Sequence, residues 1–340
     1  MRPLRVGLAS FAHVHAAGYA RLLAARPDVE LVAADPDGRT PGEDQARGAE
    51  LAAALGVRHV DGYDELFAEG LDAVVVCTEN ARHRPVVEQA AAAGVHVLCE
   101  KPLATTLEDA VAMQEACERA GVHLVTAYPV RFHPGFRELR ERVRRGDVGR
   151  VLAVTGTNNG QAPIASRRWF VDAELAGGGA LMDHTVHLAD LLDDLFDDRP
   201  DSVYAQVNRV VHADEVDVET GGLVALTYPD GLVATIDCSW SAPASYPGWG
   251  GLTLAVEGER GSIALDAFSE RVEVYDDRVG GLRWEPVGVD LDALMLEDFL
   301  ATVRDEGAPR RDGGVGRRTL EVVRAAYASA ATGRAVPLGD

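Results

Sequence analysis

The sequence predicts an α/β protein, with a doubly wound parallel sheet over residues 1–125 and an α+β domain on a large, mostly antiparallel sheet over 126–340. Three observations carry this. Strand-like and helix-like patterns alternate through the first part. Its strands are continuous apolar runs, as a sheet covered on both faces requires. After "RFHPGFRELRERVRRGDVGR" the rhythm turns to strands joined by hairpin signals.

Taken in order, "LRVGLA" leads to "HAAGYARLLAARP" and "VELVAAD" leads to "EDQARGAELAAALG". "LDAVVVCT" precedes "RPVVEQAAAAG", "VHVLCE" precedes "LEDAVAMQEACERAG", and "VHLVTAY" closes the series. Gly56, Gly94 and Gly121 sit where helices need a left-handed stop. Thr105 and Glu108 have capping-box spacing ahead of "LEDAVAMQ". In the second part the strands are "VLAVTGTN", "SVYAQVNRV", "GLVALTYPDGLVATIDCSWS" and "LTLAVEGERGSIALDAF", with Pro-Asp-Gly and Glu-Arg-Gly at the turns. Helices are expected through "GGGALMDHTVHLADLLDDLF", around "LMLEDFLATVRD" and through "RRTLEVVRAAYASAATG".

Composition narrows the function classes. A net charge of -21 lacks the basic footprint of a nucleic-acid binder. No apolar run approaches the roughly 20 residues of a membrane span. "MRPLRVGLAS" enters a strand directly, without a signal-peptide pattern, which predicts a cytoplasmic address. Cys77, Cys99, Cys117 and Cys238 have no CxxC spacing and read as buried free thiols.

Ligands of doubly wound sheets bind at the carboxyl ends of the strands. The first such turn, "VGLASFAHVHAAGY", carries Ser10, Ala12 and His15 where a dinucleotide fingerprint has three glycines. A helix N-terminus there still offers N–H groups to a pyrophosphate, and Ser10 or His13 could add a hydrogen bond. The bland alternative is an ordinary strand-to-helix turn. Asp35 ends the second strand, 25 residues beyond Ser10. A carboxylate there accepts from ribose hydroxyls and favours NAD, whereas nearby Arg39 would accommodate NADP. A turn-forming Asp before Pro36 is the structural alternative.

Lys101 is the only lysine in a chain that otherwise uses arginine. A compact ammonium able to share a proton is the chemical reason to keep one, and chance is the other. Asp183 and His187 are four apart in a helical pattern and share a face. Histidine is a natural general base, and a carboxylate one turn away can orient it or the substrate. A capped, salt-bridged surface helix would show the same spacing. His184 makes D-H-x-x-H, which could hold an ion, although no further ligand cluster is evident and no metal is expected.

Taken together, "CTENARH", "HVLCEKPLATT", "RFHP", "GDVGRVLAV" and "GGGALMDHTVH" resemble the glucose–fructose oxidoreductase, inositol dehydrogenase and rhizopine-catabolism (Gfo/Idh/MocA) family over nearly the whole chain. The resemblance implies a Rossmann domain and an α/β domain whose open sheet forms dimer or tetramer contacts. It implies a cofactor site of Ser10, Phe11, Ala12, His13, Asp35, Thr78, Glu79, Asn80, His83, Glu100 and Lys101. It assigns catalysis to Lys101, Asp183 and His187, with the lysine on the nicotinamide and the substrate hydroxyl, and His187 as base. A cis bond at Pro102 would aim the lysine. Substrate contacts by resemblance of position are Tyr128, Arg131, Asn159, Gln161, Trp169, Asp183, His184 and His187, with His133 facing the same cleft. For Arg131 a structural ion pair is the competing reading. Two departures stand out: the replaced glycines, and Phe170 where many relatives have arginine.

The activity implied is hydride transfer between NAD, or NADP, and a secondary hydroxyl of a sugar, cyclitol or related polyol. The alternatives are a redox-neutral elimination or epimerisation with tightly held NAD, and a non-catalytic dinucleotide or ligand sensor.

Overall fold

The computed structural model describes residues 2–38, 46–164, 167–196, 198–276, 281–305 and 311–339. It divides into two compact units. The first comprises Met1–Ala127, Pro163–Gly177 and Asp292–Leu320, and the second Tyr128–Ala162, Gly178–Leu291 and Glu321–Asp340.

The first unit is built on β1 (Leu4–Ala9), β2 (Val29–Ala34), β3 (Arg58–Val60), β4 (Ala73–Val76), β5 (His96–Cys99) and β6 (Leu124–Thr126), in the order β3-β2-β1-β4-β5-β6. All pairs are parallel. Every residue of β4 is buried, as strands covered on both faces must be. The connecting helices are α1 (Ala16–Ala24), α2 (Gly48–Ala54), α3 (Tyr63–Ala68), α4 (His83–Ala92) and α5 (Leu107–Ala120). The strand order reverses between β1 and β4, so their carboxyl ends form the ligand-binding switch point. "RHV" of β3 is too short and polar to announce itself as an apolar run, and α3 is a helix of only 6 residues.

The cap of α5 corrects the sequence reading by one residue. Thr106, not Thr105, is the N-cap: its hydroxyl accepts from Asp109 N–H (3.1 Å) and donates to the Asp109 carboxylate (2.7 Å). Both threonines have an acid three residues on, and the extended backbone at Thr106 decides between them. Gly121 ends this helix at φ 71°, in the left-handed region expected of it. The first unit also holds α7 (Ala173–Ala176).

The second unit begins with α6 (Pro134–Arg144) and β7 (Val151–Gly160), followed by α8 (Ala180–Leu195). Then come β8 (Ser202–Asn208), β9 (Gly221–Thr227), β10 (Val233–Ser239), β11 (Gly250–Gly258), β12 (Gly261–Asp266) and the hairpin β13 (Arg271–Asp276) and β14 (Gly281–Pro286). Of the two late helices, α9 (Leu291–Arg304) lies almost wholly in the first unit, and α10 (Gly314–Thr332) starts there and continues into the second, ahead of β15 (Val336–Pro337). The large sheet runs β12-β11-β7-β10-β9-β8-β15 and is antiparallel except for the β7–β10 pair. The Pro-Asp-Gly and Glu-Arg-Gly segments turn β9 into β10 and β11 into β12, as expected. One face packs on α8: a Cβ at Gly156 of β7 would meet Leu188, and one at Gly222 of β9 would meet Leu181. Among the described residues no helix is long and apolar enough to cross a membrane.

Candidate active site

The first turn closes on itself without its glycines. Ser10 adopts φ 75°, the left-handed conformation the first fingerprint glycine exists to supply. Its hydroxyl compensates. It donates to Asp35 (2.7 Å) and accepts from Ala12 N–H (3.0 Å) and Arg47 Nη2 (3.0 Å). The Ala12 carbonyl accepts from Arg167 Nε (2.8 Å) and Trp169 Nε1 (3.0 Å), and the Phe11 carbonyl from Arg167 Nη2 (3.3 Å). His13 lies against the Trp169 and Phe170 rings. Ser10, Phe11, Ala12 and His13 are all buried. Trp169, expected among the substrate contacts, is thus packed on the nucleotide turn. Position 170 is a buried phenylalanine stacked on Trp169, and the guanidinium that reaches this turn is that of Arg167.

Asp35 follows β2 directly opposite Ser10, and Arg47 grips both its oxygens (2.7 and 3.1 Å). Burial alone would raise this carboxyl, but Arg47, the Ser10 hydroxyl and Gly48 N–H hold it below its ordinary value. Arg39 lies outside the described residues. At the end of β4, Thr78 Oγ1 and Asn80 Oδ1 are buried with no hydrogen-bond partner among the described residues. Asn80 Nδ2 donates to the Ala176 carbonyl. Glu79 binds Arg47 and Arg82. His83 bridges the Leu103 and Thr78 carbonyls, tying together the loops after β4 and β5, and burial lowers its pKa.

Glu100 and Lys101 follow β5, both buried, and the Lys101–Pro102 bond is cis. Glu100 Oε1 accepts from Tyr19 Oη (2.7 Å) and lies 3.1 Å from His15 Nδ1 and 3.4 Å from His13 Nδ1. Burial opposes the carboxylate's charge, yet His13, His15 and Lys101 hold it far below its ordinary range. Burial likewise opposes a charged His15, and Glu100 overrides it, raising the imidazole. His13, His15 and Glu100 offer ligand atoms within 4.8 Å of one another, but the charge of neighbouring Lys101 works against a further cation. The four cysteines are buried and free, with their thiols raised by burial.

In the second unit the triple glycine sets the start of α8. A Cβ on Gly179 would overlap the Glu219 carbonyl oxygen, and one on Gly178 the Tyr327 hydroxyl. Glu219 Oε1 accepts from Gly179 N–H (2.9 Å), Leu181 N–H (3.0 Å) and the Tyr327 hydroxyl (2.8 Å), so a distant side chain caps the helix. Between Ala180 and Leu192, every side chain is buried except Asp183 and His187. This is a core helix with one polar opening, not a salt-bridged surface helix.

Asp183 Oδ2 accepts from Trp240 Nε1 (3.3 Å). It lies 3.2 Å from His184 Nε2, an ion pair when that ring is protonated. His184 itself is buried, and its Nδ1 donates to the Asn158 carbonyl (2.8 Å), which fixes the tautomer. His187 stands edge-on to the buried Tyr128 ring, 6.2 Å between centroids. Arg131 binds Asp190 through two bonds (2.5 and 3.2 Å), the structural ion pair of the competing reading, and Asp190 keeps the guanidinium charged against burial. His133 caps α6 by accepting from Gly135 N–H. Asn159 points to the sheet face opposite α8, where its amide donates to Asp237 and Ser239, because neighbours on a strand alternate. Buried Asn158 takes the α8 side. Gln161 ties down the Pro243–Tyr246 loop.

Residues 7–128 match the model for an oxidoreductase family with an NAD-binding Rossmann fold, and residues 136–264 match the GFO/IDH/MocA C-terminal domain. The chain belongs to the GFO/IDH/MocA oxidoreductase family. Among curated members of that family it is 29% identical over 310 residues to D-apiose dehydrogenase of Paraburkholderia graminis, covering 84% of this chain and 78% of the relative. It is 31% identical over 305 residues to D-xylose 1-dehydrogenase (NADP(+)) 2 of Haloferax volcanii, covering 87% and 90%. Among solved GFO/IDH/MocA-like structures, GenD2 from gentamicin A biosynthesis, in complex with NAD, superposes with TM-score 0.87 at 27% identity, covering 100% and 97%. The unpartnered Thr78 and Asn80 oxygens, at the switch point of this NAD-binding fold, fit the polar groups of a nicotinamide cofactor.

Sequence reasoning missed Arg47, Arg167, Tyr19, Glu219 and Asn158. Only His15 carried a signal for the Glu100 network, as the third replaced glycine. The others act through long-range pairing that no local pattern announces.

Proposed function

We propose that this chain is a dinucleotide-dependent dehydrogenase that oxidises or forms a secondary hydroxyl of a sugar, cyclitol or related polyol. Residues 1–125 would hold the cofactor, and residues 126–340 the substrate and the contacts of a homodimer or homotetramer. The carrying observation is that Asp183 and His187, one turn apart, are the only openings in an otherwise buried stretch of α8.

In this reading Lys101 donates to the substrate oxygen and stabilises it as an alkoxide develops. His187 takes the hydroxyl proton, and Asp183 orients the substrate and supports the charged imidazole. The nicotinamide ring, when bound, accepts or returns the hydride. Thr78, Asn80 and Glu100 would hold the nicotinamide end. A relative named for NADP(+) and one solved with NAD leave both cofactors in play. Replacing Lys101 with Met is expected to lower turnover of a true polyol substrate at least 100-fold, measured by NADH absorbance. Turnover within threefold of wild type would sink the mechanism.

A second reading draws on the casing of the turn by Arg167 and Trp169, which would slow cofactor exchange. A dinucleotide that survives gel filtration without net NADH release would favour redox-neutral chemistry.

A further inference from the structure

Asp35 has no acceptor to spare. Oδ1 accepts from Ser10 Oγ (2.7 Å) and Arg47 Nη2 (2.7 Å), while Oδ2 accepts from Arg47 Nε (3.1 Å) and Gly48 N–H (2.9 Å). A carboxylate offers about four lone-pair sites, and all four are used. Its side chain is 0% exposed, and that of Arg47 is 2% exposed. A ribose diol therefore meets the Asp35–Arg47 pair rather than a bare carboxylate. We propose that Arg47, by neutralising Asp35, sets cofactor choice and lets this chain accept the 2′-phosphate of NADP alongside NAD. The inference rests on the reading that this turn binds a dinucleotide.

The discrimination normally made by such an aspartate has two parts, acceptance of two hydroxyls and repulsion of a phosphate. The first needs free lone pairs and the second needs net negative charge. Arg47 removes both.

Among the described residues three carboxylates, Asp35, Asp37 and Glu79, share two guanidiniums, Arg47 and Arg82, so one negative charge is left over and is spread across the network rather than held on Asp35. Glu79 is held by Arg47 Nη1 (3.3 Å) and Arg82 Nη1 (3.3 Å). Asp37 is held by Arg82 Nη1 (3.4 Å) and accepts from the Tyr63 hydroxyl (2.7 Å). Each of the three carboxylates thus has a guanidinium within ion-pair distance. The network joins four sequence-distant segments, the ends of β1, β2 and β4 and the start of α2, so Arg47 holds the nucleotide end together as well as setting its charge.

The test is titration of the purified full chain with NADH and NADPH, followed by nicotinamide fluorescence, on wild type, Arg47→Gln and Asp35→Asn. Circular dichroism and thermal melting without cofactor check each fold. Wild type is expected to bind the two within tenfold of each other. Arg47→Gln should weaken NADPH more than tenfold and NADH less than threefold, because it bares the carboxylate. Asp35→Asn should leave NADH within threefold and tighten NADPH. If Asp35→Asn costs NADH tenfold or more while NADPH is unchanged, the aspartate reads the ribose itself and the proposal is overturned. Equal weakening of both cofactors in a folded Arg47→Gln protein also overturns it, since Arg47 would then be merely structural. If Arg47→Gln does not fold, Arg47→Lys keeps the charge and should keep NADPH within tenfold; a selective collapse of NADPH in a folded Arg47→Lys protein while Asp35→Asn loses NADH counts against the proposal. Wild type that binds neither cofactor refutes the dinucleotide reading itself, which separates that failure from this one.

Discussion

The nucleotide end of the first unit and the α8 face of the second handle charge in opposite ways. At the first, Ser10, Asp35, Arg47 and Glu79 are buried and joined to one another. At the second, Asp183 and His187 are kept partly open within a helix whose other side chains through Leu192 are buried. Buried charges persist only when paired and hydrogen-bonded. A group that must move a proton cannot be so fully committed. On the function proposed above, the contrast separates a device for recognition and shape from a device for chemistry.

The largest effect should come from the ground under α8. Gly179→Ala puts a methyl group into the Glu219 carbonyl oxygen and disturbs the helix N-terminus that Glu219 caps. Overpacking of this kind, without room to yield, should cost about 3 kcal/mol or more. Denaturant unfolding followed by tryptophan fluorescence would show it, because Trp240 and Trp249 both belong to the second unit. An unchanged midpoint would mean that the triple glycine serves something other than close approach.

The next test sharpens the comparison itself. His187→Ala should lower turnover about 10²- to 10⁴-fold, the usual worth of a general base. NADH affinity should stay within threefold, the result expected if the proposed base acts on the substrate alone. Loss of cofactor binding in step with turnover would erase the division between the two regions.

Much of this was legible in the sequence, for physical reasons that can be named. Continuous apolar runs such as "AVVV" and glycine stops such as Gly121 depend on local chain properties and could be read directly. The i, i+4 spacing of Asp183 and His187 placed them on one face, but spacing could not say whether that face was covered. Arg47 was invisible because its role lies in reaching Asp35 across the loop between β2 and α2, and an arginine opening a helix looks like any other. Arg167 lay in a segment whose return to the first unit no composition shift marks. The capping threonine was ambiguous by one residue because Glu108 and Asp109 are both acids at the right distance.

The smallest predicted effect concerns the partly exposed edge of the separate Glu100 cluster. His15 is 34% exposed, unlike Glu100 beneath it. His13 and His15 lower the Glu100 pKa against burial, and Glu100 in turn raises that of His15. The two signs define a window. A raised histidine contributes stability fully below its ordinary value near 6.5 and loses it as pH rises through the higher folded value. A depressed glutamate contributes above its ordinary value near 4.5 and loses it only as pH falls through the lower folded value. The pair therefore helps most between these ordinary values, and its help fades on the alkaline side first. Urea midpoints measured from pH 5.5 to 8.5 should fall slightly for wild type relative to His15→Gln, with the two curves converging as the imidazole discharges. Parallel curves across that range would show that solvent screening has already cancelled the coupling. The nucleotide end would then be closed by the Arg47 network alone.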